Sequence, residues 1–381
     1  MSKHARSSGL PVDGAERATA DGWSFPARDP ATGERLWDVP DAGVTDAHAA
    51  AEAAWRARHA TTWSTDTALR VDAVTELREA LAARADDLAL LLAAETGVPV
   101  ALREAHVDAP IAAMGHEVVP DPEQDAGVTL VLTPATSPLA VAIEEVGRVL
   151  LAGGTVVLKP APEAASAALE LGRIALDVVP RGVLNVVTTR DVDVAIALTR
   201  DRRVDEVSFT GSAVVGERVG ATAGGAGKRV RLDVGGARSV RVADDDDLDA
   251  VVRAAAVELV ANAGQGCRLP ASVVVPTHRY TDALRAALGA MEEVAVGDPT
   301  DPATRCGPLR SPVARDRVLR YVALARSEGA DVALGGHVLD RDGGWWVAPT
   351  VIGGVEPGSR LVREEVLGPV LMVVPDSSAR A

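Results

Sequence analysis

At 381 residues with 47% apolar content, the chain is too long for one simple core, and two or more packed domains are expected. A formal charge of −15, from 39 basic against 54 acidic residues, argues against nucleic acid or an anionic membrane as partner. No apolar run approaches the roughly 18 residues of a membrane span, residues 1–10 lack a signal-peptide stretch, and two cysteines cannot build a disulfide framework, so a cytoplasmic location is expected.

In chain order, residues 1–28 read as a polar, irregular lead-in, and 29–40 as turn chemistry followed by a short strand. Residues 46–113 are rich in Ala, Leu, Arg and Glu at helical spacing, predicting two or three helices broken near Gly97-Val98-Pro99. Strand and helix then alternate. Strands are expected at 127–134, 154–160, 182–188, 204–210 and 228–234, with helices at 139–152 and 163–176 and between the later strands. Near-continuous Val/Leu runs, each followed by an amphipathic helix, predict a parallel sheet buried on both faces, whose ligands bind beyond the strands' carboxyl ends. A second α/β stretch follows: helices at 247–262, 279–291 and 312–328, and strands at 271–276, 346–352 and 368–374. With aromatics at only 3%, Ala, Val and Leu must fill the cores.

Three stretches can carry chemistry. "SFTGSAVVG" (208–216) puts Gly211 and Ser212 where a strand turns into a helix, and the free N–H groups and dipole there favour a phosphate, though such turns commonly only cap the helix. "TVVLKP" (155–160) places Lys159 at the carboxyl end of a neighbouring strand, where a cation can meet a ribose or phosphate or simply be solvated. In "NAGQGC" (262–267), Cys267 sits on a glycine-flanked bend between a helix and a strand. A space-filling thiol needs no such bend, whereas Gly264 and Gly266 would let the backbone approach a ligand. The preceding helix ends at the bend, so its dipole does not lower the thiol pKa and a separate base is required. Asp233, before Gly235-Gly236, is a candidate base or a turn residue; Cys306, before Gly307-Pro308, is read as incidental.

The order of these segments resembles the aldehyde dehydrogenase superfamily. The segments that carry the likeness are "DPATGE" (29–34), "TPATSPL" (133–139), "GGTVVLKPAPE" (153–163), "SFTGSAVVG" (208–216), "LDVGG" (232–236), "NAGQGC" (262–267), "VGDPTDPATRCGPL" (296–309), "WVAPTVI" (346–352) and "EEVLGPV" (364–370). The resemblance implies a Rossmann-like parallel-sheet cofactor domain, with the N-terminal helices, over 29–235. A catalytic α/β domain, shortened at its C-terminal end, would follow over 236–381, with the site in the cleft between them. It implies oxidation of an aldehyde to a carboxylic acid with NAD or NADP, through a Cys267 hemithioacetal and thioester. Lys159 would meet the adenosine ribose, Gly211 and Ser212 the pyrophosphate, Glu365 the nicotinamide ribose, with Leu367 beside the nicotinamide. No metal is implied.

Departures accompany the likeness. Thr136 stands where the family has an asparagine that donates to the oxyanion, and Asp233 where it has a glutamate base. One oxyanion donor is worth about 10²–10³ in rate and a general base about 10²–10⁴. Pro162 followed by Glu163 replaces the acidic residue three positions after the lysine, which loosens any preference between NAD and NADP, and Leu367 replaces a phenylalanine. The short segment 115–127 and the end at Ala381 argue against the family's usual tetramer, and a homodimer stays open. Two further readings stay open: a catalytically degenerate homologue that binds or scaffolds, and a variant whose thioester passes to another acyl acceptor.

Overall fold

A hairpin of β1 (Leu10–Val12) and β2 (Ala15–Arg17) opens the described chain, which in this computed structural model covers residues 9–115, 126–266 and 269–376. β3 (Ser24–Arg28) then pairs antiparallel with β4 (Arg35–Pro40). The irregular lead-in expected for residues 1–28 is thus corrected from residue 10 onward. Asp13 and Gly14 adopt φ of 57° and 73°, the left-handed pair that matches a two-residue loop to strand twist. The Asp13 carboxylate, with only 7% of the residue exposed, accepts from Arg17 (2.7 Å), Arg56 (3.1 Å) and Arg181 (2.7 Å), and Leu10 and Val12 are buried.

Three helices follow, α1 (Val44–His59), α2 (Thr67–Ala82) and α3 (Ala85–Thr96). α1 buries a face of alanines (Ala47, Ala50, Ala51, Ala54, Ala57), which lets it lie close to the sheet. The wholly buried Trp63 donates from Nε1 to the carbonyl of Gly154 at 2.8 Å, and Asp66 caps α2 by accepting from the Leu69 N–H. Buried Glu95 accepts from both N–H and Oγ of Ser166. After a π-turn at Glu104–Asp108 comes α4 (Ala109–Ala113).

The alternating region folds as β5 (Val128–Thr133), α5 (Pro138–Leu151), β6 (Thr155–Pro160), α6 (Ala165–Ala175), β7 (Leu184–Val186), α7 (Val192–Arg200), β8 (Glu206–Gly211), α8 (Ala213–Gly225) and β9 (Arg229–Val234). The strands form one parallel sheet in the order β7-β6-β5-β8-β9. Winding proceeds outward from β5 through β6 to β7, then returns to the other side of β5, so a topological switch point lies between β5 and β8. Val128, Leu130, Val156, Val157, Leu158 and Val207 are wholly buried. β9 departs from the two-face burial expected of this sheet: as an edge strand it is exposed along its length, with Val230, Leu232 and Val234 at 38–43%.

The rest comprises β10 (Arg238–Arg241), α9 (Leu248–Val260), β11 (Pro270–Pro276), α10 (Tyr280–Glu292), α11 (Pro312–Ser327), β12 (Asp331–Leu334), β13 (Thr350–Gly353), α12 (Arg360–Arg363) and β14 (Val370–Asp376). Its sheet runs β10-β11-β14-β13-β12, parallel except for β12 against β13. Val273, Val275, Val351, Ile352 and Leu371–Val374 form its centre, covered by the alanine face of α10.

The chain divides into two compact units, residues 1–28, 35–95 and 103–234 in the first, and 29–34, 96–102 and 235–381 in the second. Residues 29–34 and 96–102, assigned above to the first domain, therefore group with the second. The reason is tertiary. Trp345 N–H donates to the Pro30 carbonyl (2.9 Å) and Trp346 Nε1 to that of Ala31 (3.0 Å), while Val100 N–H donates to the Pro299 carbonyl (2.8 Å).

Asp13 and His106 are among the groups that make the fold sensitive to acid. Hydrogen bonding from Arg181, assisted by Arg56, holds the Asp13 carboxyl down at about 2, below its ordinary value of 3.8. Its stabilisation is complete above pH 4 and is lost as pH falls from about 4 to 2. Asp13→Asn is expected to cost about 2 kcal/mol at pH 7 in urea unfolding, with the difference from the native chain shrinking below pH 4. Burial pushes the His106 imidazole in the π-turn down to about 4. The unfolded chain therefore binds the proton between pH 6.5 and 4, and stability falls across that window as pH drops. His106→Gln should flatten the dependence of Tm on pH between 6.5 and 4; an unchanged slope would show the imidazole to be readily protonated in the folded chain.

Candidate active site

In the first unit, the expected site residues share the carboxyl edge of the parallel sheet. Lys159 is the penultimate residue of β6, and its ammonium donates to the Pro160 carbonyl at 2.9 Å. Burial pushes this amine down to about 8, with the Glu163 carboxylate acting in the opposite direction. Gly211 ends β8 and Ser212 is the N-cap of α8, yet the Ser212 side chain makes no capping hydrogen bond. A Cβ on Gly211 would lie 2.6 Å from the Phe209 ring, so only glycine lets the turn close there. Thr136, 5% exposed, lies in the short segment between β5 and α5, three residues beyond Thr133, whose buried Oγ1 has no hydrogen-bond partner. Asp233 is the penultimate residue of β9, in register with Thr210 of β8, and is exposed.

This edge fits a dinucleotide. A helix N-terminus without a side-chain cap, a glycine packed on the Phe209 ring and a buried hydroxyl lacking a partner lie beside the switch point of a doubly wound sheet, with a cation two strands away.

In the second unit, Cys267 itself lies outside the described residues, and the approach to it is a left-handed turn. α9 ends at Val260, and Asn262, Ala263 and Gly264 then take φ of 51°, 53° and 70°. Left-handed backbone at Ala263 costs of order 1–3 kcal/mol and persists only where the surroundings fix it. Gln265, 2% exposed, supplies that fixing. Its Oε1 accepts from the Arg310 N–H (3.0 Å) and Nη1 (3.1 Å), and its Nε2 donates to the Asn262 carbonyl (3.2 Å). The Asn262 amide in turn donates to the Gln265 carbonyl at 3.0 Å.

The structure corrects the reason for the glycines. A Cβ on Gly264 would stand 2.0 Å from the carbonyl oxygen of Gly368, and one on Gly266 would stand 2.8 Å from the Leu269 side chain. Gly264 is thus required by protein backbone rather than by a ligand. This contact joins the turn to the segment carrying Glu365 and Leu367, where Leu367 is also left-handed (φ 55°). Gly368 is pressed in turn against Val318 of α11, whose side chain a Cβ at position 368 would approach to 2.3 Å. The preceding residue, Arg317, donates to the Glu365 carbonyl, and Tyr321, about one turn on, donates to Glu364 at 2.8 Å. Burial raises the Glu365 carboxyl above its usual range, partly offset by the Arg317 guanidinium.

Cys306 is wholly buried, and burial pushes its thiol up to about 12, which makes it inert as a nucleophile. Gln265 and Arg317 were not singled out by sequence reasoning. Gln265 was readable as part of the elbow motif, but its partners on 308–310 were not, and Arg317 looked like an ordinary helix-surface charge. Among the described residues no group of His, Cys, Asp and Glu is arranged to hold a metal ion, and no helix is long and apolar enough to cross a membrane.

Comparison with known proteins places these observations. The model of the aldehyde dehydrogenase family matches residues 18–380. The chain is 32% identical to a phenylacetaldehyde dehydrogenase of Pseudomonas fluorescens, covering 91% of this chain and 75% of that one. It is 34% identical to an aminoacetaldehyde dehydrogenase of Pseudomonas aeruginosa, covering 95% and 77%. Among solved structures, an indole-3-acetaldehyde dehydrogenase from P. syringae in complex with NAD+ and IAA superposes with a TM-score of 0.92 at 29% identity, over 98% of this chain and 80% of that one. A doubly wound sheet, a left-handed elbow before a cysteine and matches across most of the sequence lead to one assignment: this chain belongs to the aldehyde dehydrogenase family.

Proposed function

We propose that the chain oxidises a small aldehyde to its carboxylic acid, with NAD or NADP as oxidant and Cys267 as nucleophile. The observation that carries the reading is the carboxyl edge of the first sheet, where Lys159, Gly211 and Ser212 stand at the switch point beside an unsatisfied Thr133 hydroxyl. Relatives of this chain have been solved with NAD+ bound, which supports the same cofactor class.

The protonated Lys159 amine would hold the adenosine ribose, the N–H groups at Ser212 the pyrophosphate, and Glu365 the nicotinamide ribose, with Leu367 alongside. A nicotinamide bound in this way supplies the hydride acceptor. The Cys267 thiolate adds to the aldehyde carbon, and the Thr136 hydroxyl donates to the oxygen as charge develops there. Loss of hydride leaves a thioester on Cys267. Asp233 takes a proton from water, which attacks the thioester and releases the acid and the thiolate. Asp233 is one methylene shorter than the family's base, and exposure of β9 leaves its carboxylate in solvent contact. These two features favour slow deacylation as the rate-limiting stage.

A second reading, a homologue that binds nucleotide without turnover, is motivated by Thr136 and Asp233 themselves. Titration with NAD and with NADP, followed by an aldehyde panel on the same sample, separates the two. Aldehyde-dependent NAD(P)H formation that disappears in Cys267→Ala is the expected result, whereas nucleotide binding with no turnover on any aldehyde would leave only the second reading. If deacylation limits the rate, Asp233→Glu should raise kcat by about tenfold or more while Asp233→Asn lowers it by about 10²-fold or more. A pre-steady-state burst of NAD(P)H in the native chain checks the same point, and its absence would put the slow step earlier.

A further inference from the structure

A groove on the first unit, away from the sheet's carboxyl edge, is formed by one face of α1 and by the end of α7 with the loop after it. His48, Glu52 and Trp55 line it from α1, and Ala197, Arg200, Asp201, Arg202 and Arg203 from the other side, around a volume of about 790 Å³. Its floor is rigid. Asp201, 6% exposed, accepts from the Arg203 N–H and Nε (both 2.9 Å) and Nη2 (2.6 Å), and lies 2.8 Å from His48 Nδ1. Arg203 also reaches Glu52 at 2.8 Å. Arg203 thus engages both carboxylates of the groove, whose three arginines outnumber its two carboxylates by one positive charge.

Arg200 and Arg202 are left over. Both guanidiniums are exposed at the rim, and no carboxylate among the described residues pairs with either. A chain of net charge −15 thus presents a locally positive groove. Trp55, 40% exposed, supplies a flat apolar wall, and its indole is held in orientation by stacking on His59 at 4.8 Å. Paired guanidiniums suit a phosphate, and an ordered indole suits a planar ring; the volume falls within the range of ligand sites.

We propose that this groove binds a nucleoside phosphate, with the phosphate between Arg200 and Arg202 and the base on Trp55. The inference is independent of the aldehyde chemistry, since none of these residues belongs to the candidate active site. AMP is the probe, titrated calorimetrically against the full chain and against Lys159→Ala, which removes a group of the candidate cofactor site and controls for AMP binding there. Saturable binding should persist in Lys159→Ala. It should weaken about tenfold or more both in Arg200→Gln/Arg202→Gln and in Trp55→Ala, each with an unchanged melting temperature. Adenosine and inorganic phosphate, titrated separately, should each bind much more weakly than AMP. No saturable binding, or binding abolished by Lys159→Ala and indifferent to the groove variants, overturns the proposal. Phosphate binding as tightly as AMP, with no effect of Trp55→Ala, overturns the nucleoside assignment in favour of a simple anion site.

Discussion

The backbone of Gly264 rests on the carbonyl of Gly368, and the second unit is organised around that contact. The approach is too close for any side chain at position 264, since a Cβ there would stand 2.0 Å from the oxygen. It brings together two segments far apart in sequence, the turn entered from α9 and the segment that leads into β14. Both carry left-handed residues other than glycine, Asn262 and Ala263 in one and Leu367 in the other. Conformations of that kind relax unless held. Here Gln265 holds one side through Arg310, and Arg317 and Val318 hold the other, so the elbow and the Glu365 segment are fixed as a pair.

The first unit solves a different problem by simpler means. Its strands need no strained backbone to gather Lys159, Gly211, Ser212 and Thr136 at one edge, because parallel strands all end on the same side. The winding reverses beside β5, and open parallel sheets bind ligands beyond the strand ends at such a switch point. At this edge the buried Thr133 hydroxyl lacks a hydrogen-bond partner, and Ser212 does not cap α8 with its side chain.

Much of this architecture is legible in the sequence, for identifiable reasons. β5, β6 and β8 are continuous apolar runs with helices of regular period between them, so their existence and order follow from local pattern. The hairpin of β1 and β2 does not, because strands of three residues have little periodicity and depend on Asp13 finding Arg56 and Arg181 in the folded chain. Residues 29–34 and 96–102 are carried to the second unit by main-chain hydrogen bonds to Trp345 and Pro299, which leave no trace in composition. At the elbow, glycine spacing announces a close approach without saying to what. The Gln265–Arg310 and Arg317–Glu365 contacts join segments with no local signal, whereas Cys267, Asp233, Lys159 and Glu365 stand out as candidates from motif alone.

Burial of Cys306 has an analytical consequence. The chain contains two sulfhydryls, and one of them is sealed in the core with its ionisation pushed up to about 12. Toward reagents that attack thiolates, Cys306 is therefore silent while the second unit is folded. Labelling of Cys306 then becomes a direct measure of unfolding in the second unit.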